Sequence, residues 1–476
     1  MSNLNPKPPL FVDLDGTVIK TDLMFESVLL LLKKNPLAIF LIPLWLLRGK
    51  ANVKHQLAQR VDIVVDLLPL NPEFLAYLRT QVDEGRDIIL ISASNQQPVQ
   101  QVSDHLALFI DAIGSDADHN LKAENKLARI QQLISKSDFS YAGNSSADLS
   151  VWFHAEEVLM VNCGSVLEAQ LQDKTKLAAL FDPASSPLTK FWQAIRPHQW
   201  LKNGLVFLPL ILSHRVNQPD LLLQAFVGFV SFSFCATSVY LLNDMLDLNS
   251  DRQHKSKYSR PFASGELSLA YGFLGAPLLL LVAFSVASFL PTGFLTVLLA
   301  YWLLTCAYSF LLKKLFLVDV LVLAVLYTLR IVAGSAAISV LTTAYLIAFS
   351  MSLFFGLAIV KRYTELSNLQ ALGKTASEGR AYAWGDLKIL SVLGISASLA
   401  AVLIFTFYVN APDTTALYST PTLLWLICPL LLYLLGRIWL LAYQGQLDED
   451  PVLFAVSDWQ CRIITLLCGL LTWVAI

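Results

Sequence analysis

Two textures of hydrophobic patterning divide the chain. In the first, short apolar runs at Pro9–Leu14, Asp87–Ile91, Phe139–Ala142 and Glu157–Val161 alternate with helical stretches such as Pro72–Glu84 and Lys122–Leu133. Strands separated by helices predict a parallel sheet with helices packed on it. Leu23–Leu47 is also apolar, but Lys33, Lys34, Pro36 and Pro43 interrupt it. Neither piece reaches the roughly 20 residues a membrane span needs. The pattern predicts a helical cap over the sheet, within about residues 22–70, with an apolar surface able to meet a membrane.

The second texture begins after Asp182–Lys190, DPASSPLTK, which reads as a linker. Long apolar segments recur near 203–213, 221–242, 271–290, 293–311, 319–338, 344–360, 386–408, 421–441 and 461–476. By length these predict about nine spans, the first of them short. With residue 190 inside, the internal loops carry Arg252, Lys255, Lys257, Arg260, Lys313, Lys314, Lys361, Arg362, Lys374 and Arg380. The external loops carry only Arg215. This asymmetry follows the positive-inside rule, and an odd number of spans puts the C-terminus outside.

Composition sharpens the division. The whole chain is 55% hydrophobic and 15% charged, against about 25% charged for soluble proteins. Charged residues number 39 in the first 190 positions and 31 in the remaining 286, so the first part is soluble in character and the second belongs in a bilayer. The expected domains are 1–181, a linker 182–190 and 191–476. A net charge of −2 offers no surface for nucleic acid. The six cysteines form no CxxC and mostly sit in apolar runs, as small buried hydrophobes do. The N-terminus has no long apolar core and is no signal peptide, so the first part is expected in the cytosol of a cell bounded by its inner membrane. Oligomeric state is not legible.

Phe11-Val-Asp13-Leu-Asp15-Gly16-Thr17 ends the first expected strand. Two carboxylates two residues apart on a strand point the same way. Such a pair suits a nucleophile beside a general acid/base with Mg²⁺ on a phosphate, although the spacing alone fits a polar turn equally well. DLDGT resembles the signature of haloacid-dehalogenase-type phosphatases. The resemblance extends over about 8–165 through Ser92 after an apolar run, Lys126 at a helix start and Gly143-Asn144-Ser-Ser-Ala-Asp148. It implies a Rossmann-like α/β domain in which Asp13 forms an aspartyl-phosphate, Asp15 is general acid/base, Ser92 and Lys126 bind the phosphoryl group, and Asp13, Asp15 and Asp148 hold Mg²⁺. Asn144 stands where that family usually has an aspartate.

Asn243-Asp244-Met-Leu-Asp247-Leu-Asn-Ser-Asp251 closes the second expected span. On one continuous helix these three carboxylates would share a face and converge at the membrane end. Such a cluster repels itself unless a cation is bound, and Mg²⁺ carrying a diphosphate is a natural guest. Lys255, Lys257 and Arg260 follow, able to hold phosphate oxygens. NDxxDxxxD followed by KxxRP resembles the first aspartate-rich motif of the UbiA superfamily of intramembrane prenyltransferases, over about 191–476. That implies an all-α polytopic bundle of about nine helices and Mg²⁺-assisted departure of diphosphate.

Aromatic prenyltransferases of that superfamily carry a second DxxxD-like motif after the sixth span. Here that loop begins Lys361-Arg362-Tyr363-Thr364-Glu365-Leu366. With Arg196-Pro197-His198-Gln199-Trp200-Leu201-Lys202-Asn203, Tyr308 to Lys313, Asp319-Val320 and Arg330 to Gly334, it resembles the decaprenyl-phosphate phosphoribosyltransferase branch. The resemblance implies phosphoribosyl diphosphate as donor and a polyprenyl phosphate as acceptor. Asp244, Asp247 and Asp251 would act on the leaving diphosphate, with Asn243, Lys257, Arg260 and Lys313 as further binding residues. Lys202, Arg330, Lys361 and Arg362 would hold the lipid anion, and Asp319 or that phosphate would pair with Arg330. The fused phosphatase would then remove the 5-phosphate to make a donor for cell-envelope carbohydrate. Prenyl transfer from a polyprenyl diphosphate to an aromatic acceptor, and a transporter with a soluble regulatory domain, remain as alternatives. The acidic run Asp448-Glu449-Asp450 reads as a solvated loop.

Overall fold

Strands Leu10–Val12 (β1), Ile88–Asn95 (β2), Asp111–Ser115 (β3), Ser140–Gly143 (β4), Glu157–Val161 (β5) and Leu177–Phe181 (β6) form one sheet. Every pairing is parallel and the order is β3-β2-β1-β4-β5-β6. These observations come from a computed structural model that describes residues 7–134, 138–171, 177–181, 186–371, 381–447 and 450–476. Lys374, Arg380, Asp448, Glu449 and the first four linker residues lie outside the described residues.

Alternate side chains of each central strand enter opposite cores, as a pleated strand requires. Leu10 and Val12 pack with Leu90, Phe74 and Leu159 on one face. Phe11 packs with Ile91, Tyr141, Trp152 and Met160 on the other. The sequence pattern foretold β1, β2, β4 and β5. It missed β3 and β6, the two edge strands, whose half-exposed residues leave a weaker apolar signal. The chain order reverses between β1 and β4, and ligands of open α/β sheets bind beyond the strand ends at such a switch point. Asp13 follows β1 there, and Asn144 follows β4.

The cap is helical as expected. Helix Leu23–Lys34 is capped by Asp22, whose carboxylate accepts from the backbone of Met24 and Phe25, and it ends at Asn35 before Pro36. A 3₁₀ turn Pro36–Phe40, a short helix Leu41–Leu46 and helix Lys50–Ala58 complete it.

Contacts divide the chain into two units, Met1–Ile195 with Tyr240–Ala276, and Arg196–Val239 with Pro277–Ile476. The segment 240–276 was expected to belong with the membrane part. Its contacts are instead with the N-terminal unit, through pairs that sequence spacing does not reveal. Arg252 donates to both Glu26 oxygens, at 2.5 and 3.2 Å, and Lys190 pairs with Glu266 at 2.7 Å. Gly265, at φ +76°, lies so close to Lys20 that a Cβ there would be 2.6 Å from its carbonyl oxygen.

The second unit is helical. Among the described residues, seven helices of the whole chain are long and apolar enough to cross a membrane: Pro219–Leu246, Leu269–Ala287, Thr292–Phe310, Val318–Ala337, Ala344–Gln370, Trp384–Val409 and Pro421–Tyr443. An eighth candidate, Pro451–Ser457 with Trp459–Ala475, is bent by 80°. The expected count of nine is therefore too high. Its first segment, 203–213, contains Pro209 and forms the end of a 3₁₀ stretch Pro197–Phe207 and a helix of only five residues, Leu208–Leu212. Close backbone approach locks this stretch against Val318–Ala337, since a Cβ on Gly334 would lie 2.0 Å from the Val206 carbonyl oxygen.

Candidate functional site

The first unit holds two groups of chemically capable side chains. At the sheet switch point Asp13 is 7% exposed, and its Oδ1 accepts from Lys126 Nζ at 2.9 Å. Lys126 also reaches Tyr141 at 2.7 Å and Asp148 at 3.5 Å. Asp15 accepts from the Leu23 amide at 2.9 Å, Ser94 at 2.6 Å and Ser92 at 3.2 Å. Asp13, Asp15, Ser92, Lys126 and Asp148 thus gather around one sheet end.

Two details depart from expectation. Asp148 has both oxygens engaged, Oδ1 by Tyr141 at 2.8 Å and Oδ2 by the Asn144 and Ser145 amides and the Ser145 hydroxyl at 3.0–3.2 Å. It is a buried organiser of its turn rather than an open metal ligand. Ser92 is fully buried with its hydroxyl on Asp15. Ser94, two residues on along the same strand face, makes the shorter bond to Asp15 and was missed. Lys54 was missed too. It comes from the cap helix Lys50–Ala58 and donates to the Ala93 carbonyl at 2.5 Å, close enough to Asp15, Asp22 and Asp13 for their charges to act on it. Nothing in its local sequence distinguishes it from a surface lysine.

Burial raises the Asp13 carboxyl to about 7, only partly opposed by Lys126, and raises Asp15 to about 6, helped by the Asp22 charge. Burial alone would push the Lys126 ammonium down, but Asp13 and Asp148 outweigh it and hold it charged. The Asn144 side chain lies over Gly16, where a Cβ would fall 1.9 Å from its Nδ2. Among the described residues no three His, Cys, Asp or Glu side chains gather into a ready metal cage. Mg²⁺ seldom needs one, because it commonly combines one or two carboxylates with water and substrate phosphate. The Asp13 carboxylate and the Asn144 amide oxygen fit that donor chemistry.

These raised carboxyls predict a metal-dependent pH profile of stability. A carboxyl whose pKa is higher in the folded state adds stability below its unfolded value of about 4 and loses it as pH rises through the folded value. Without Mg²⁺ this contribution vanishes as pH passes 6 to 7. Mg²⁺ opposes the loss by favouring the ionised form. The thermal midpoint with Mg²⁺ minus that with EDTA is expected to grow from about pH 5.5 to about pH 8. A difference that stays constant or shrinks would contradict metal binding at these groups.

The second group lies on 240–276. Helix Pro219–Leu246 ends before Asp247, which takes φ −99° and ψ 13°, and a new helix Leu248–Gln253 follows. The continuous helical face expected for Asp244, Asp247 and Asp251 is therefore broken at its middle member. Asp244 and Asp251 nevertheless meet, because Arg260 Nη1 bridges them at 3.1 and 2.6 Å. Both carboxylates are 4% exposed. Burial raises the Asp251 carboxyl, Arg260 opposes this, and Asp247 is near enough to raise it further. The guanidinium stands where a bound cation would sit. The buried Oδ1 of Asn243 has no hydrogen-bond partner among the described residues. An orphaned amide oxygen on the residue that precedes Asp244 is of the donor chemistry Mg²⁺ takes. Lys257 is half-buried on the same segment.

The second unit contributes cations. Arg330 is 5% exposed, and it donates to Asn203 at 3.0 Å, the Leu326 carbonyl at 2.6 Å and the Tyr301 hydroxyl at 3.1 Å. Phe232, Tyr301 and Tyr327 turn ring faces to it at 5.1–5.5 Å. Asp319, expected beside Arg330, instead pairs with Arg362 at 2.6 Å and accepts from Tyr382. Arg362 also bonds Glu365 at 2.7 Å and Tyr308 at 3.1 Å. It joins helices inside the bundle, so its assignment to the lipid phosphate is corrected. Arg362→Ala is expected to cost about 3–5 kcal/mol by leaving Asp319 buried without its guanidinium. Thermal unfolding in detergent measures this, and an unchanged midpoint would contradict a structural role.

Lys202 pairs with Asp450, which also caps Pro451–Ser457 through the Val452 and Leu453 amides at 3.2 Å. Burial pushes the Asp450 carboxyl up, but Lys361 and Lys202 outweigh it and hold it below the usual carboxylate range. The acidic run expected as a solvated loop therefore has at least one partly buried, ion-paired member. Lys313 is half-buried after Thr292–Phe310.

The UbiA prenyltransferase family profile matches residues 205–474. The chain belongs to this family of membrane-embedded transferases. It is 34% identical over 456 residues to the uncharacterized protein y4nM of Sinorhizobium fredii, covering 95% of this chain and 88% of that one. It is 33% identical to the nodulation protein NoeC of Azorhizobium caulinodans, over 58% of this chain and 89% of that one. It is 32% identical to the decaprenyl-phosphate phosphoribosyltransferase of Mycobacterium tuberculosis, over 38% of this chain and 61% of that one.

Proposed function

We propose that the chain transfers phosphoribose from phosphoribosyl diphosphate to a polyprenyl phosphate at the cytosolic face of an inner membrane, and that its N-terminal unit removes the 5-phosphate from the product. The observation that carries the transfer is Asp244–Arg260–Asp251, two buried carboxylates bridged by a cation at the end of an apolar helix. Bound Mg²⁺ would supply charge neutralisation for a diphosphate leaving C1 of the ribose. Asp244 and Asp251, with Asn243, would hold that cation, and Asp247 adds negative potential at Asp251. Arg260 can turn from the carboxylates to diphosphate oxygens, and Lys257 and Lys313 are further cations for them. The acceptor is an anion, which suits Lys202, Lys361 and Arg330. Relatives named for phosphoribosyl transfer support the choice of donor.

In the N-terminal unit, Asp13 attacks the 5-phosphate as a carboxylate and Asp15 gives its proton to the departing ribose oxygen. Water then cleaves the aspartyl-phosphate with Asp15 taking the proton back. Lys126 holds charge against Asp13 throughout. Bound Mg²⁺ would lower the repulsion between carboxylate and phosphate.

Detergent-solubilised chain with Mg²⁺, polyprenyl phosphate and labelled phosphoribosyl diphosphate tests both steps. Label in a lipid and released inorganic phosphate are expected. No label entering lipid from phosphoribosyl diphosphate, together with prenylation of an aromatic acceptor labelled in a parallel reaction with polyprenyl diphosphate, would favour prenyl transfer instead. Diphosphate release with the 5-phosphate retained would remove the phosphatase step.

A further inference from the structure

The first unit exposes an apolar ridge that its own fold does not cover. Of Pro36–Leu46 only Ala38 is buried. Leu37 is 71% exposed, Phe40 72%, Leu44 59% and Leu47 85%. A soluble surface rarely gathers such residues in one short stretch. Lys33 and Lys34 precede the ridge and Arg48 and Lys50 follow it. The opposite side is packed: Ile42 and Trp45 rest on Val28, Leu31, Leu32, Val53 and Leu57.

Phe273 joins that same cluster, and its ring lies 5.1 Å from Phe25. Phe273 stands in the first turns of Leu269–Ala287, a helix apolar enough to span a bilayer. The ridge therefore emerges beside the point where the chain enters lipid.

We propose that residues 36–47 form an interfacial anchor, seated in the headgroup and acyl boundary of the leaflet from which Leu269–Ala287 starts. At eleven residues, Pro36–Leu46 is too short to cross. An apolar face flanked by Lys and Arg is the chemistry of a helix lying in the interface plane, about 5–10 Å deep, with the cations toward anionic headgroups. The partner is the lipid surface and not a second chain, because a basic rim repels its own copy and attracts the leaflet. The anchor is continuous with Lys50–Ala58, whose Lys54 donates to the Ala93 carbonyl on the strand end that carries Ser92 and Ser94, near enough to Asp15 to feel its charge. Resting on the phosphatase reading, this geometry names the substrate class of that site as a phosphate ester carried by a lipid. The anchor itself does not depend on that reading.

The test places the photo-crosslinker p-benzoylphenylalanine at Phe40, Leu44 or Leu47 of the full chain, and at exposed His119 as a control. Each variant is reconstituted in phosphatidylethanolamine–phosphatidylglycerol vesicles and irradiated. Mass spectrometry is expected to find one phospholipid added on its acyl chain at each ridge position, and none at His119. The three positions are read separately, so misfolding of one does not silence the others. Addition of a second protein chain, no addition at any ridge position, or lipid addition equal to that at His119 would each overturn the anchor. None of these readouts uses catalysis, so the anchor and the phosphatase can fail independently.

Discussion

Asp251→Asn is expected to leave the protein folded and to lower phosphoribosyl transfer by on the order of 10²–10³-fold, the scale of losing one preorganised charge contact at a reacting group. Asparagine keeps the shape of the side chain and an oxygen that can still accept from Arg260, now 2.6 Å from Asp251. What disappears is one negative charge of the pair that would hold Mg²⁺ on the diphosphate. Asp244→Asn is expected to match it, because Asp244 shares the same guanidinium at 3.1 Å. Asp247→Asn is expected to cost less, since Asp247 acts on Asp251 through its charge while the chain breaks its helix there. The ranking separates this geometry from a continuous helical face, on which the three would contribute alike. Initial rates with labelled phosphoribosyl diphosphate across a Mg²⁺ series measure it. Wild-type rates in Asp251→Asn would remove the aspartate segment from the reaction.

The sequence made the two solvents legible, because charge density and apolar length respond directly to burial in protein or in lipid. It also marked Asp13, Asp15 and Asp244, since each sits where an apolar run stops. Partnerships across long separations were not legible. Asp319 or a bound phosphate was expected to pair with Arg330; Asp319 pairs instead with Arg362 from the next helix. Glu26 and Arg252 are 226 positions apart and form a buried ion pair that no local pattern announces. Lys54 looked like any cap lysine until the fold carried it to Ala93. The first expected span, 203–213, failed for a local reason: apolarity was counted, while Pro209 was not weighed.

Asp13→Asn is expected to abolish phosphate release, by on the order of 10⁴-fold or more, while leaving transfer unchanged. The amide cannot form an aspartyl-phosphate, so no other group at the sheet end can replace it. Lys126 would lose one of its two carboxylate partners and keep Asp148 at 3.5 Å, with Tyr141 at 2.7 Å, so the ammonium stays partnered and the fold persists. The lipid product should then accumulate with its 5-phosphate in place, visible as a more anionic species on thin-layer chromatography and as a mass higher by one phosphate. Asp15→Asn should behave differently. It keeps the nucleophile but removes the proton that the departing ribose oxygen needs and the base that activates water afterwards, so a substrate with a good leaving group, such as p-nitrophenyl phosphate, is expected to give one burst of nitrophenolate and then stall at the aspartyl-phosphate in Asp15→Asn, and no burst in Asp13→Asn. Ser94→Ala removes the 2.6 Å bond that fixes Asp15, and is expected to shift the pH profile upward without removing the nucleophile, because that bond favours the ionised form of Asp15. Equal phosphate release from Asp13→Asn and the unaltered chain would assign the hydrolysis elsewhere and leave the N-terminal unit as a binding domain.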